Sequence, residues 1–256
     1  MEKNQVHSSQ SGTFDISAAM LHIIAMTFML MDHLWATLLP AQDWLTCVGR
    51  LAFPIFAFMA VEGYFHTHSF KKYILRLLLF AVLSEIPFDL MYGGTWFYPF
   101  HQNVIWTLLI GLAGIHLIEK ARKKQKLWIL LPTAVLVMLV GSALGTVGMA
   151  DYYGAGVLTL FIFYFFRGRK WWCFAGQLLA LYWVNVELLG GLMYPIRLFG
   201  MDLELCQQGL ALLSLLPIWL YRGRQGCHTK VFQYSCYAFY PVHMLILALV
   251  LNYVNR

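Results

Sequence analysis

Apolar runs of about 20 residues recur along almost the whole chain, and they restrict the possible fold more than any other feature. A helix needs roughly 20 mainly apolar residues to cross a membrane, where lipid offers no partners for backbone polar groups. Of the 256 residues, 60% are hydrophobic and only 12% are charged. The sequence therefore predicts an all-α fold, a polytopic integral membrane helical bundle of about nine transmembrane helices. The predicted spans are 18–38, 45–65, 72–92, 103–119, 127–148, 152–167, 171–190, 206–221 and 234–253.

The basic residues support this division independently of the apolar pattern. Cytoplasmic loops of membrane proteins collect lysine and arginine, and here 15 of the 18 basic residues fall on one side of the predicted bundle. We therefore expect a cytosolic N-terminus and a C-terminus on the outer side. This topology, together with attraction to anionic lipid, accounts for the net charge of +6, so no nucleic-acid partner is expected.

The chain divides into two parts. Residues 1–17 are polar and contain no apolar signal segment, which predicts a short cytosolic lead-in. Asp15 or Ser17 could cap the first span, because either side chain can accept a hydrogen bond from a free amide. Residues 18–256 show no internal repeat and no linker, which indicates one transmembrane domain.

Cysteine and histidine spacing gives little sign of a metal centre. The five cysteines lack the CxxC pattern and are odd in number, which argues against a disulfide framework or a zinc site. Cys47 and Cys206 both fall near the predicted outer face and could pair. His66 and His68 have no accompanying carboxylate or cysteine, so no metal is expected.

Ionisable residues inside the predicted spans cluster at two depths. A charged group at the centre of a bilayer costs at least ~3 kcal/mol, so such residues suggest a functional site. One cavity that crosses the bilayer would account for both groups. The outer group contains Asp32, His33, Arg50, Glu85, Asp89, Asn103 and Asp151, and the inner group contains His22, Glu62 and Arg76, with His243 near the middle of the last span.

Helix periodicity relates the two depths in the first span. Positions 22, 26, 29 and 33 share one helix face, and His22 and His33 are separated by about 16 Å along the axis. This separation suits a long, thin ligand. Asp32 is turned roughly 100° from His33 and cannot orient it. We therefore expect a carboxylate from the third span, Glu85 or Asp89, to orient the His33 ring.

Several blocks of the sequence resemble the TraX family. They are residues 21–25 (Leu-His-Ile-Ile-Ala), 31–33 (Met-Asp-His), 49–56 (Gly-Arg-Leu-Ala-Phe-Pro-Ile-Phe), 62–64 (Glu-Gly-Tyr), 84–89 (Ser-Glu-Ile-Pro-Phe-Asp), 102–103 (Gln-Asn) and 240–243 (Tyr-Pro-Val-His). That family is similar to a wider group of membrane acyltransferases, which includes the acyltransferase-3 proteins and the lysosomal enzyme that acetylates heparan glucosamine. It is also associated with N-acetylation of the pilin subunit in conjugation.

The resemblance implies an enzyme of the bacterial plasma membrane. It would transfer an acetyl or other short acyl group from cytosolic acetyl-CoA or another acyl-CoA to an amine or hydroxyl acceptor at the outer face. His33 would act as the general base or, in a double displacement, as the nucleophile. Arg50 would stabilise the oxyanion or neutralise Asp32. Asn103 and Gln102 would orient the acceptor, while Glu85, Asp89 and Asp151 would orient His33 or bind a cationic acceptor.

The donor is expected on the cytosolic side. Lys71, Lys72 and Arg76 are placed to meet CoA phosphates, although ordinary positive-inside bias explains them equally well. Further donor-binding candidates are His22, Glu62, Tyr240 and His243. The family usually has lysine or arginine eleven residues before the histidine that corresponds to His33. This chain has His22 there, and a neutral imidazole would bind a phosphate or thioester oxygen less firmly than a fixed cation would.

Two other classes of function remain open from the sequence. A proton-coupled transporter could use Asp32, His33, Glu62 and Asp89 as a relay, but it would explain only the charges and not the sequence blocks of the TraX resemblance. A non-catalytic assembly protein would leave the costly charges unexplained. The expected partners are acyl-CoA, an acceptor that is a small molecule, peptide or glycan, and membrane lipid. A homo-oligomer would add a second copy of the chain.

Overall fold

The structure is a computed structural model that describes residues 15–198, 200–227 and 229–254. Its helices form a bundle, and one small β-hairpin interrupts the helical order. The α-helices are α1 Ala18–Thr37, α2 Asp43–Gly49, α3 Ala52–His66, α4 Phe70–Tyr92, α5 Val104–Arg122, α6 Leu127–Val147, α7 Tyr153–Phe165, α8 Trp171–Tyr182, α9 Leu215–Leu220 and α10 Lys230–Val254. A π-helical segment, Trp183–Leu189, extends α8, and a 3₁₀ segment, Gln207–Ser214, leads into α9.

The polytopic helical bundle predicted from the sequence is confirmed, but the number nine is not. Within the described ranges, six helical segments are long and apolar enough to cross a membrane. The segments are Ala18–Thr37, Asp43–His66, Val104–Arg122, Leu127–Val147, Trp171–Leu189 and Lys230–Val254. Helix α4 has 23 residues and is long enough, but five charged side chains reduce its apolar character. The predicted sixth and eighth spans are the shorter apolar segments Tyr153–Phe165 and Gln207–Leu220.

Side-chain caps fix where several helices begin. Ser17 caps α1, because its Oγ accepts a hydrogen bond from the amide of Met20 at 3.2 Å. This confirms one of the two expected caps. Asp15 instead approaches Arg224, whose Nε lies 3.5 Å from the Asp15 carboxylate. Asn103 caps α5 by accepting a hydrogen bond from the Ile105 amide at 3.1 Å. Residues 1–14 of the predicted lead-in 1–17 lie outside the described residues.

The predicted second span is divided into α2 and α3 at Arg50 and Leu51. Pro54 is the third residue of α3, where a missing amide hydrogen costs little because first-turn amides have no intrahelical acceptor. The break places Arg50 at a helix junction and lets its side chain turn toward α1. Gly49 packs so closely against Asp32 that an added Cβ atom would overlap that side chain.

Helices α1, α4 and α10 form one side of the bundle, and α5, α6 and α7 form the other, with α3 packed between α1 and α7. Small residues allow close approach between α6 and α7. A Cβ atom at Gly145 would lie 2.8 Å from the carbonyl oxygen of Tyr153. Such contacts favour helix association in lipid, where apolar burial gives little driving force.

The β-hairpin Met193–Leu198 and Met201–Cys206 was not predicted. The sequence predicts residues 191–205 to be an outer connection between the spans 171–190 and 206–221. Gly200, with a φ of +81°, directly precedes the second strand, and glycine adopts this left-handed backbone without strain. The suggested pairing of Cys47 with Cys206 is wrong, because both residues are free thiols in the structure.

Candidate functional site

A pair of buried histidines lies where α1 and α10 meet. The Nδ1 atom of His33 is 2.7 Å from the Nε2 atom of His243. The two rings are nearly coplanar, with 11° between their planes. His33 is 7% exposed and His243 is 6% exposed, so bulk water reaches neither ring freely. The sequence placed both residues inside spans but did not predict that they meet.

The hydrogen bonds of His243 determine the tautomers of the pair. Its Nδ1 atom lies 2.6 Å from the carbonyl oxygen of Phe239. Because a carbonyl only accepts, this Nδ1 must carry a hydrogen. In a neutral ring the Nε2 of His243 is then an acceptor, and Nδ1 of His33 must donate to it. The remaining nitrogen of His33, Nε2, therefore keeps its lone pair, and it forms no hydrogen bond with any residue that the structure describes.

Aromatic rings surround the histidine pair. Tyr92 of α4 meets the His33 ring edge-on, with ring centres 6.0 Å apart. Tyr240 of α10 lies 6.4 Å from His33 on another side, and the ring of Phe239 stacks on His243 at 4.7 Å. These contacts hold both imidazoles in a largely apolar environment.

Asp32, the sequence neighbour of His33, belongs to a separate network. Arg50 donates from Nη2 to both carboxylate oxygens of Asp32, and Thr46 adds a hydrogen bond of 2.8 Å to Oδ1. The guanidinium also lies 6.0 Å from the centre of the Tyr152 ring. Of the two roles expected for Arg50, neutralising Asp32 is the one that the geometry shows.

The expected carboxylate that orients His33 is not found, because His243 occupies that position. Glu85 accepts hydrogen bonds from Asn103 and from the indole of Trp106, the latter at 2.8 Å. Asp89 accepts from the backbone amide of Tyr98 at 2.9 Å. One oxygen of each carboxylate is buried without a hydrogen bond from the described part of the chain.

Asp151 and Gln102 lie in the loops that close the outer end of the bundle. Asp151 accepts from the amide of Tyr152 at 3.1 Å and faces His101 at 3.4 Å. Burial lowers the pKa of His101, but the hydrogen bond and negative charge of Asp151 raise it more, so the net pKa lies above its ordinary value. The Gln102 side chain donates to the carbonyl of Pro99 at 3.1 Å, which stabilises the same loop.

A cavity of about 580 Å³ occupies the half of the bundle that is predicted to face the cytosol. This volume falls in the range of ordinary ligand pockets, roughly 300–1,000 Å³. His22, Met26 and Met29 line it together, as the helix periodicity predicted. The cavity reaches Met29, one helical turn before His33, and Tyr240, whose ring contacts His33.

The donor-binding candidates divide into two sets. His22, Glu62, Arg76 and Tyr240 line the cavity, whereas Lys71, Lys72 and His243 do not. The outer residues Asp32, His33 and Arg50 do not line it either, so this cavity does not by itself join the two groups of ionisable residues. His22 donates from Nδ1 to the carbonyl of Ala18 at 2.8 Å if that nitrogen carries its hydrogen.

Sequence reasoning missed several residues that complete these networks. Arg167 forms two hydrogen bonds with Glu62, at 2.6 and 3.2 Å, so this inner carboxylate has its own cation. Trp106 donates a hydrogen bond to Glu85, and His101 faces Asp151. The basic loop around Arg167 was visible in the sequence, but its contact with Glu62 joins residues 105 positions apart. No local spacing could have indicated that contact.

Known proteins show what this chain resembles. A family model described as TraX protein matches residues 17–251. The probable fimbrial assembly protein FimC, serogroup H1, of Dichelobacter nodosus is 29% identical over 257 aligned positions, which cover 93% of this chain and 96% of that protein. No solved structure matches the chain. Because the matched region runs from the cap of α1 into the last turns of α10, the chain belongs to the TraX family.

Proposed function

We propose that this protein is an acyltransferase of the bacterial plasma membrane. It takes an acetyl or other short acyl group from cytosolic acyl-CoA and transfers it to an amine or hydroxyl acceptor at the outer face. The observation that carries the proposal is the hydrogen-bonded pair His33–His243, which leaves the Nε2 lone pair of His33 without a partner among the described residues, one helical turn from Met29 in the lining of a ligand-sized cavity. We propose kinship with other membrane acyltransferases on the strength of the TraX resemblance.

Acyl transfer to an amine or hydroxyl requires removal of a proton as the new bond forms, and a positioned base contributes about 10²–10⁴-fold. Nε2 of His33 accepts that proton as the acyl carbon bonds to the acceptor, and it passes the proton to the sulfur of CoA when the thioester C–S bond breaks. His243 then stabilises the imidazolium, because the 2.7 Å hydrogen bond allows its Nε2 to share the charge. Nε2 of His33 would attack the thioester if the reaction passed through an acyl-histidine. Both routes require the tautomer that His243 fixes.

The collapsing thioester also requires a donor for its oxyanion. Arg50 is already bound by Asp32, so we assign this role to the hydroxyl of Tyr240. Tyr240 lines the cavity and contacts the His33 ring, and it is therefore placed between the donor and the base. Arg50 instead keeps Asp32 neutralised beside His33.

The acyl donor enters the cavity from the predicted cytosolic side. His22 lies toward this end of α1 and Met29 lies toward His33, about 10 Å farther along the helix axis. An extended acyl-pantetheine arm fits this elongated shape, with its thioester at the Tyr240 end. His22 of α1 and Arg76 of α4 both line the cavity that would hold the arm.

The relative from Dichelobacter nodosus is named a probable fimbrial assembly protein, and this name favours a peptide acceptor. An α-amino group has a pKa of about 7.7–8.0, against about 10.4 for lysine. A neutral imidazole therefore deprotonates an amino terminus more readily than a lysine. We propose the amino terminus of a fimbrial subunit as the preferred acceptor.

The test uses purified protein in proteoliposomes of known orientation, with labelled acetyl-CoA supplied on one side. Acceptor peptides with free or blocked amino termini are supplied on the other. We expect acceptor-dependent release of CoA without a pH gradient, and no release by His33→Ala. His116→Ala is the matched control, because His116 lies in α5 beside Phe70 and Tyr64, outside the histidine pair and the cavity.

The alternatives give different results in the same assay. A proton-coupled transporter would need a pH gradient and would leave CoA intact. A non-catalytic assembly protein, the reading that the relative's name alone supports, would release no CoA under either condition. Trp96 lies between α4 and α5, in a connection that is predicted to be on the outer side. Acetyl-CoA accepted only from that side would contradict the proposed orientation.

A further inference from the structure

A second cavity, of about 310 Å³, lies beside the first on the predicted cytosolic side. The two cavities share five lining residues, among them Glu62, His66 and Tyr221. They are therefore adjoining compartments. A ligand with two chemically different ends could occupy both at once.

Three guanidinium groups line this second compartment. Arg167 and Arg169 come from the loop between α7 and α8, and Arg222 follows α9. The positive-inside tendency explains why basic residues occur in these loops. It does not explain why two separate loops bring three arginines to one cavity. Glu62 is the carboxylate among the lining residues, so the compartment keeps a positive excess.

The three arginines differ in how much of each guanidinium is free. Arg167 is bound by Glu62 through two hydrogen bonds. Arg169 uses Nη1 for the carbonyls of Trp219 at 3.1 Å and Tyr221 at 2.8 Å, which fixes the group but leaves its other nitrogens free. Arg222 forms no ion pair or hydrogen bond with any residue in the described ranges. Two guanidiniums can therefore donate to an incoming anion.

Aromatic rings complete the compartment. Phe174 and Trp219 both line it, with ring centres 5.2 Å apart. The Trp219 indole is held by a hydrogen bond to Gln177 at 2.8 Å. Fixed aromatic faces beside arginines favour a ligand that combines a flat ring with phosphate, because bases stack on aromatic side chains and guanidinium binds phosphate bidentately.

We infer that this compartment binds the phosphorylated nucleotide end of a ligand whose long arm occupies the larger cavity. The inference rests on the proposed function only in taking that ligand to be acyl-CoA. It assigns phosphate recognition to Arg169 and Arg222 rather than to Lys71 and Lys72, which line neither cavity. Neither end of such a ligand would need to enter the outer polar network.

The test measures binding of adenosine 3′,5′-bisphosphate to the full-length protein in nanodiscs made only of phosphatidylcholine. Loss of one charge-assisted contact in Arg222→Gln should weaken binding roughly tenfold to a hundredfold. Arg222→Lys should recover part of the loss. Arg169→Gln should weaken binding similarly, with a thermal-unfolding measurement to confirm folding. The matched control is Lys124→Gln, an exposed basic residue outside both cavities, which should change binding less than twofold.

No binding by the wild-type protein would overturn the inference, as would unchanged binding in Arg222→Gln or equal weakening by Lys124→Gln and Arg222→Gln. A phosphate-bearing lipid headgroup shares the recognition chemistry, so retention of phosphatidylglycerol is measured in parallel, in a second set of nanodiscs that contain this lipid. Loss of that lipid in Arg222→Gln, with nucleotide binding unchanged, would assign the compartment to lipid instead. His33→Ala should bind the nucleotide normally. If the wild-type protein binds the nucleotide but shows no turnover, the proposed function alone is refuted. If Arg222→Gln turns over acetyl-CoA with an unchanged KM, this site alone is refuted.

Discussion

Nδ1 of His33 lies 2.7 Å from Nε2 of His243, although 210 residues separate the two in the chain. The first and last described helices of the bundle therefore supply the two halves of one hydrogen-bonded unit. The backbone carbonyl of Phe239 accepts the hydrogen bond from Nδ1 of His243 and so fixes the tautomer of that ring. The tautomer at His33 is thus set by a carbonyl on another helix.

The first prediction concerns His243 as a positioning residue. His243→Ala should lower kcat by roughly 10–100-fold, because His33 loses the acceptor that fixes its tautomer and orientation. The KM for acetyl-CoA should change little, since His243 does not line the cavity. Steady-state kinetics with acetyl-CoA and a peptide acceptor would measure both.

His243→Gln provides the control for this prediction. The amide oxygen can accept from Nδ1 of His33 but cannot share its positive charge, so partial recovery of kcat is expected. A raised KM with unchanged kcat in His243→Ala would instead support the donor-binding role that the sequence suggested.

The second prediction concerns the ion pair between Asp32 and Arg50. Asp32→Asn or Arg50→Gln alone should each reduce the free energy of unfolding by about 3 kcal/mol, because one charge is left without its partner in a mostly buried site. The double variant should lose much less than the sum of the two. Thermal unfolding in detergent would compare the wild type, the two single variants and the double variant, and strictly additive losses would show that the pair is not coupled.

Thr46→Val is the control for this prediction. It removes one neutral donor to Asp32 and should reduce the free energy of unfolding by only about 1 kcal/mol.

The third prediction concerns His22, which lines the cavity at the end opposite Tyr240. His22→Lys should lower the KM for acyl-CoA and change kcat little, because a permanent cation attracts phosphate or a polarised carbonyl more strongly than a neutral imidazole. His22→Leu should raise the same KM. Changes confined to thermal stability in both variants would mean that His22 only packs and hydrogen-bonds to Ala18.

The fourth prediction concerns the pH dependence of His101. Its pKa is raised in the folded protein because Asp151 outweighs the effect of burial. A raised pKa means that the folded state binds the proton more tightly than the unfolded state does. The contribution to stability is therefore fully present below the unfolded pKa of about 6.5 and is lost as the pH rises through the folded pKa.

The measurement compares the melting temperatures of the wild-type protein and His101→Gln between pH 5.5 and pH 8.5. The stability advantage of the wild type should be largest at the acidic end and should shrink toward the basic end. An advantage that grows with pH would show that His101 does not gain a proton on folding.

The apolar runs and the basic loops were sufficient to predict a polytopic helical bundle, because lipid excludes unpaired backbone groups and local composition alone reports that constraint. The cap at Ser17 and the shared face of His22, Met26 and Met29 also followed from local pattern. Both depend on interactions within one helix, and helix geometry fixes those distances.

Contacts between helices were decided by the tertiary structure. The sequence indicated Glu85 or Asp89 as the partner of His33, but packing of α10 against α1 supplied His243 instead, and α5 supplied Asn103 and Trp106 to Glu85. The β-hairpin was missed because its strands are short and lie between apolar segments. The sequence by itself determined which side chains are too polar for lipid. Which of them meet depends on how helices far apart in the chain rotate and pack, and no local period encodes that.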